Sequence, residues 1–335
     1  MIVKILVSLI PVFLFLLLLL YLDSLRLVNK TLLLFCLAWG IASAILSFVA
    51  NTFLINRFQI GFEIYSSWIA PFVEEFLKIF ILMVLIRKNR IGFMIDAAIY
   101  GFAIGSAFAM SENLFYLFHF AGQEGNLMVW ITRGFGTSLM HGGTVAIFGI
   151  MTMSALNRHS HVALAIALGM MIAVIIHGLY NQFLVSPLVS TLLIVVVIPV
   201  TITLIFQGNE KSIRNWLELE FDSEVKLLGM IRKGKFTETK AGSFLVSIKK
   251  HFPPEEVLDI YCFISLYLEL SIKAKSVLLL KENDLPVRPD PEIPAKLKEL
   301  KSLRKNIGKA GFLAIAPILR MSRKDLWKIS LLEAK

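Results

Sequence analysis

Seven runs of roughly 20 mostly apolar residues, near 5–22, 31–54, 68–86, 92–118, 137–156, 162–185 and 189–206, decide what this chain can fold into. About 20 residues of helix, at 1.5 Å each, match the ~30 Å hydrocarbon core of a bilayer. In lipid, backbone groups must be satisfied internally, so such runs fold as helices. With 57% hydrophobic residues, 17% charged residues and a mean hydropathy of +0.74, a soluble fold is excluded. The expectation is an all-α fold, a polytopic membrane helix bundle of about seven transmembrane helices with a C-terminal cytoplasmic helical domain. The first run is too long for a signal peptide, and Tyr21-Leu22-Asp23-Ser24 offers no small-x-small cleavage site, so it reads as a retained span.

Lys and Arg place the loops. Arg26 and Lys30, then Arg87, Lys88 and Arg90, then Arg158 fall in the first, third and fifth loops. The second holds only Arg57, the fourth only Arg133 and the sixth none. The positive-inside rule therefore puts the N-terminus outside and the tail, 207–335, in the cytoplasm of a multi-pass cell-membrane protein. The expected division is 1–206 for the bundle and 207–335 for a basic α-helical domain. Cys36 and Cys262 then lie in different compartments, which excludes a disulfide between them and a thiolate metal site.

Ionisable residues interrupt these runs. Glu74, Glu75 and Lys78 lie in the third, Glu112 and Asn113 in the fourth, His141 in the fifth, and His177 and Asn181 in the sixth. A charge near a bilayer centre costs about 3 kcal/mol or more, so such groups mark a wet, working cavity. In the expected topology Glu75 lies about 7 residues, ~10 Å, from the outer end of its span, and Glu112, His141 and His177 sit at similar depth. A site opening to the extracytoplasmic face requires that shared level.

Glu74 is i, i+4 and Glu75 i, i+3 from Lys78, both spacings that allow an ion pair. Two adjacent carboxylates in a low dielectric repel each other, so the pair is expected to share a proton, which suits acid–base work on water. His177 and Asn181 share a helix face and can present donors to an oxyanion. Pro71 breaks backbone pairing just before the glutamates, a defect tolerated beside a cavity. Asp96, near the cytoplasmic end of its span, reads as structural. Arg133 either snorkels outward or neutralises the carboxylates. Gly101-x-x-x-Gly105 predicts close helix packing.

These residues resemble the PrsW family of intramembrane proteases, itself similar to the CAAX-protease and bacteriocin-processing superfamily. The matching pieces are Ala70-Pro71-Phe72-Val73-Glu74-Glu75-Phe76-Leu77-Lys78, Phe108-x-x-x-Glu112-Asn113, His141, and His177-Gly-Leu-Tyr-Asn181. The resemblance implies a glutamate of the pair that activates water, aided by Glu112, with His177 and Asn181 holding the oxyanion. Glu112 stands where prenyl-processing relatives carry histidine, which argues against a prenylated substrate. The implied activity is a peptidase cut in a single-span membrane protein, such as an anti-sigma factor, near the extracytoplasmic face. A metal is left open, since His141, His177 and Glu75 could ligate zinc. The absence of a His-Glu-x-x-His helix favours a metal-free glutamate mechanism.

The tail has a charge of about +7, 24 Lys and Arg against 17 Asp and Glu, which suits anionic lipid headgroups and gives no sign of nucleic-acid reading. Helical stretches are expected near 212–234, 240–251, 254–281, 291–306 and 308–334. The charges Glu269, Lys273 and Lys275 make 262–280 a core helix rather than an eighth span. An unidentified cytoplasmic partner is the expected role of this domain. Two other functions fit intramembrane carboxylates: an ion- or proton-coupled transporter, which predicts inverted repeats and midplane sites, and a catalytically idle sensor or scaffold.

Overall fold

A computed structural model describes residues 2–23, 26–120, 126–158, 161–182, 184–283, 285–288, 290–316, 319, 329 and 332. Every element among them is helical. The chain divides into two compact units, 1–209 and 210–335.

The first unit begins with α1 (Ile2–Tyr21) and α2 (Lys30–Phe58). Asn29 caps α2 by accepting from the Leu32 N–H. A short α3 (Phe62–Ile64) passes through a π-helical segment, Tyr65–Ile69, into α4 (Ala70–Arg87). Pro71 lacks the N–H that the preceding turn would use, and the widened turn just before it accommodates the loss. Next come α5 (Met94–Phe120), α6 (Leu127–Ile131), a second π-helical segment at Thr132–Thr137 and α7 (Ser138–Asn157). The unit ends with α8 (Val162–Gln182) and the first part of α9 (Pro187–Arg232).

Six helical stretches among the described residues are long and apolar enough to cross a membrane: 2–21, 30–58, 94–119, 127–157, 162–182 and 187–208. The remaining expected span, 68–86, is helical but carries Glu74, Glu75 and Lys78, so composition alone does not mark it as a crossing. Both π-helical segments lengthen their spans at the N-terminal side, to Phe62 and Leu127, beyond the expected starts at 68 and 137.

At the centre stands α5, packed on α1, α2, α4 and α7. Its small residues explain the approach. A Cβ on Gly105 would run into the carbonyl oxygen of His141, and one on Gly101 would meet the Val145 carbonyl at 2.7 Å. Without a hydrophobic drive between helices in lipid, this backbone contact is what holds α5 against α7. Asp96 accepts from the N–H groups of Gly92, Phe93 and Ala97, so this buried carboxylate closes the start of α5, the structural role expected of it.

In the second unit, α10 (Lys240–Ile248), α11 (Pro254–Glu282), α12 (Ile293–Asn306) and α13 (Gly308–Ile315) follow the end of α9. No break separates the last span from the first expected tail helix, since α9 is continuous through both. Phe263, Ile264, Tyr267, Leu300, Leu303 and Ile307 lie in one buried core, so 262–280 is a core helix. Lys275 is fully buried, 3.1 Å from Glu224 and 3.2 Å from Glu220. Lys296 pairs with Glu269 at 2.7 Å and Glu292 at 2.8 Å, and these carboxylates raise its pKa above the usual lysine value. Most of the expected helix 308–334 beyond Ile315 lies outside the described residues.

Candidate active site

The side chains of Glu74, Glu75, Lys78, Glu112, His141 and His177, from four helices, meet in one buried cluster. Adjacent residues on a helix point about 100° apart. Glu75 therefore faces inward from α4, while Glu74 turns toward α2.

Glu75 is fully engaged. Lys78 Nζ lies 2.6 Å from its Oε1, His177 Nδ1 is 2.9 Å from the same oxygen, and Thr144 Oγ1 donates to Oε2 at 3.1 Å. Of the two spacings that allowed a lysine pair, the i, i+3 one to Glu75 is realised, because Glu75 and Lys78 share the buried face of α4. Lys78 also reaches His141 Nδ1 at 2.8 Å and sits over the Phe108 ring, 4.3 Å from its centroid.

The Lys78 contact fixes the tautomer of His141. An ammonium only donates, so His141 accepts at Nδ1 and, as a neutral ring, carries its proton on Nε2, 3.3 Å from Glu112 Oε2. His177 donates from Nδ1 to Glu75, and its Nε2 lies 3.7 Å from Glu74 Oε2. The two rings meet edge to face at 4.6 Å.

Glu74 is the less committed of the pair. Asn51 Nδ2 donates to its Oε1 at 3.3 Å, and Tyr65 O–H donates to Asn51 Oδ1 at 2.8 Å, which fixes the amide's orientation. Asn51, Tyr65 and Thr144 were missed by sequence reasoning. The signal for Asn51 existed: Gly40, Ser43, Ser47 and Asn51 repeat at helical spacing on an otherwise apolar span.

The other expected residues lie around this centre. Asn113 donates to Ser138 Oγ at 3.0 Å and the Ser8 carbonyl at 3.2 Å, and it accepts from Arg133 Nε at 2.9 Å. Arg133 reaches Glu112 Oε2 at 3.3 Å, so of its two readings it is the one that faces a carboxylate. Asn181 is not brought into the cluster: its Nδ2 donates to the Ser66 carbonyl at 3.3 Å, within the first π-helical segment. Ser138 does the same for the Arg133 carbonyl of the second segment at 3.0 Å. The Ser66 carbonyl at the first irregular turn is thus met by a side chain, while the Arg133 carbonyl at the second accepts the Ser138 backbone N–H as well as its hydroxyl.

Glu74, His141 and His177 each offer a ligand atom within 4.8 Å of one another. Two histidines and a carboxylate form a donor set used by catalytic zinc, and the Glu75 carboxylate behind His177 is the orienting partner such ligands have. The residues therefore supply a donor set for a metal, with His141 giving up its contact to Lys78 or to Glu112 in order to ligate it. The glutamate completing the set is Glu74 rather than the expected Glu75, whose oxygens are taken by Lys78, His177 and Thr144.

No curated protein and no solved structure matches the chain. The model of the PrsW family intramembrane metalloproteases matches residues 29–205, more than half of the sequence and the part that holds every member of the cluster. A helical membrane protein with paired carboxylates and histidines sealed among its spans, matched over that length, belongs to the PrsW family of intramembrane metalloproteases.

Proposed function

We propose that this peptidase cuts a membrane-tethered, single-span protein, such as an anti-sigma factor, near the extracytoplasmic face, with a glutamate activating the water. One observation carries the reading: of the adjacent glutamates, Glu75 is neutralised by Lys78, while Glu74 Oε2 lies 3.7 Å from His177 Nε2. In the proposed reaction a water is held against Glu74 Oε2 and His177 Nε2. Glu74 takes a proton as the water oxygen bonds to the peptide carbonyl carbon. The carbonyl π pair moves to oxygen. The C–N bond then breaks, and the proton passes to the departing amine. Glu112, between His141 and Arg133, is the second carboxylate at the reacting bond.

A divalent ion held by Glu74, His141 and His177 would supply Lewis-acid polarisation of the carbonyl and a more acidic water. The loop charges support an outside N-terminus and a cytoplasmic tail. The basic tail is suited to anionic headgroups and to a cytoplasmic partner.

The test is co-expression with candidate single-span proteins, comparing wild type with Glu74→Gln, Glu75→Gln and His177→Ala at matched levels. A fragment that appears with wild type and disappears with all three is the expected result. A fragment unchanged by every substitution would overturn the reading.

A further inference from the structure

The cluster is most open at Glu112 and Arg133, with Glu74 only 15% exposed. Glu75 and Lys78 are completely buried and the two histidine side chains are at most 3% exposed, whereas Glu112 is 26% and Arg133 20% exposed. A substrate strand therefore reaches the buried groups across Glu112 and Arg133.

Arg133 is held rigidly there. It lies on the second π-helical segment, its Nε donates to Asn113 Oδ1 at 2.9 Å, and its guanidinium lies 4.1 Å over the Tyr116 ring. Asn113 is itself fixed by Ser138 and the Ser8 carbonyl. Nη2 differs. It is buried and has no hydrogen-bond acceptor among the described residues, its 3.3 Å approach to Glu112 being an ion pair without hydrogen-bond geometry. A buried donor without an acceptor is costly and is kept where an acceptor arrives later.

Peptide hydrolysis brings such an acceptor, because the carbonyl oxygen gains negative charge on attack and needs a preorganised donor. The other donors point into the protein. Lys78 serves Glu75 and His141, His177 Nδ1 serves Glu75, His141 Nε2 faces Glu112, and Asn181 serves the Ser66 carbonyl.

We propose that Arg133 is a catalytic residue whose Nη2 donates to the carbonyl oxygen of the peptide bond being cut. This rests on the peptidase reading above. As the water oxygen bonds to the carbonyl carbon, the π pair becomes an oxyanion against the guanidinium, which stays protonated. When the C–N bond breaks, the pair returns to C=O.

The test uses the full-length protein in lipid vesicles and a synthetic single-span peptide cleaved by the wild type, its cut site mapped by mass spectrometry. The peptide is made with an ordinary amide and with a thioamide, a poorer acceptor, at that bond. Arg133→Met is expected to lower kcat about 10²–10³-fold with little change in KM. Arg133→Lys, which keeps the charge without the planar fork, is expected to fall between. The thioamide penalty of the wild type is expected to shrink in Arg133→Met, which a residue acting only by holding Glu112 or the fold would not produce. An unchanged penalty in both variants, or an unchanged kcat, overturns the proposal. Glu74→Gln separates the two readings: if cleavage survives it, the glutamate mechanism fails; if only Glu74→Gln abolishes cleavage, that mechanism stands and Arg133 has no part in it.

Discussion

Glu75 accepts a hydrogen bond from His177 at 2.9 Å, and this single contact turns the other imidazole nitrogen toward Glu74. Two neighbours in sequence thereby do different work, one orienting and one facing the reacting groups.

The difference is measurable. Glu75→Gln leaves the buried Lys78 ammonium without its carboxylate, and losing one partner of a buried pair costs about 3–5 kcal/mol. Glu74→Gln keeps an oxygen for the Asn51 amide and is expected to change stability by only about 0.5 kcal/mol. Both are expected to lose cleavage, about 10²–10⁴-fold for the loss of a general base in Glu74→Gln. Thermal unfolding in detergent beside cleavage rates checks this, and equal destabilisation by the two would refute the division of roles.

Asn51 is a positioning residue for Glu74. Asn51→Ala removes one hydrogen bond to a charged group, worth about 1.5–3 kcal/mol if realised wholly in the transition state, or about 10–150-fold in kcat. Tyr65→Phe is expected to act in the same direction and more weakly, and to add nothing in the Asn51→Ala background. Independent, multiplying effects in steady-state kinetics would contradict the relay.

Zinc titration tests the donor set without reference to turnover. Calorimetry on chelator-stripped protein is expected to find one site per chain, lost in His141→Ala and in His177→Ala. Glu75→Gln, which disturbs the group behind His177, is expected to weaken it about 10–100-fold. Binding indifferent to all three substitutions would put the metal elsewhere.

The tail carries a pH signature of its own. Glu269 and Glu292 raise the Lys296 pKa, so the pairing contributes fully below the unfolded lysine value, about 10.4. That contribution is lost as pH rises through the higher folded value. The urea midpoint for loss of the α11 and α12 helices in the full-length protein is expected to fall at alkaline pH in the wild type. Lys296→Met is expected to remove that pH dependence, with a small effect at neutrality because the pairing is partly open to solvent, 28% at Lys296 and 69% at Glu292. Identical alkaline profiles would dismiss the contribution.

The membrane character, the helical runs and most of the polar cluster were legible in the sequence, because in lipid both apolar length and each buried charge need a physical reason. Glu74, Glu75, Lys78, Glu112, His141 and His177 could be singled out on that ground alone. Their partners could not. Whether Lys78 takes Glu74 or Glu75 depends on which face of α4 is sealed by α7 and α8, and both spacings are permitted on an isolated helix. Periodicity groups Asn181 with His177, yet the π-helical turn before Pro71 frees a carbonyl that claims its amide. Sequence periodicity assumes regular helices, so it is blind where two turns widen beside the site. It fixes which residues lie in the membrane and on which stripe of their own helix. Tertiary packing alone decides which of them meet across helices, because contacts such as Arg133 with Glu112 or Asn51 with Glu74 join residues 21 and 23 positions apart through geometry that no single helix contains.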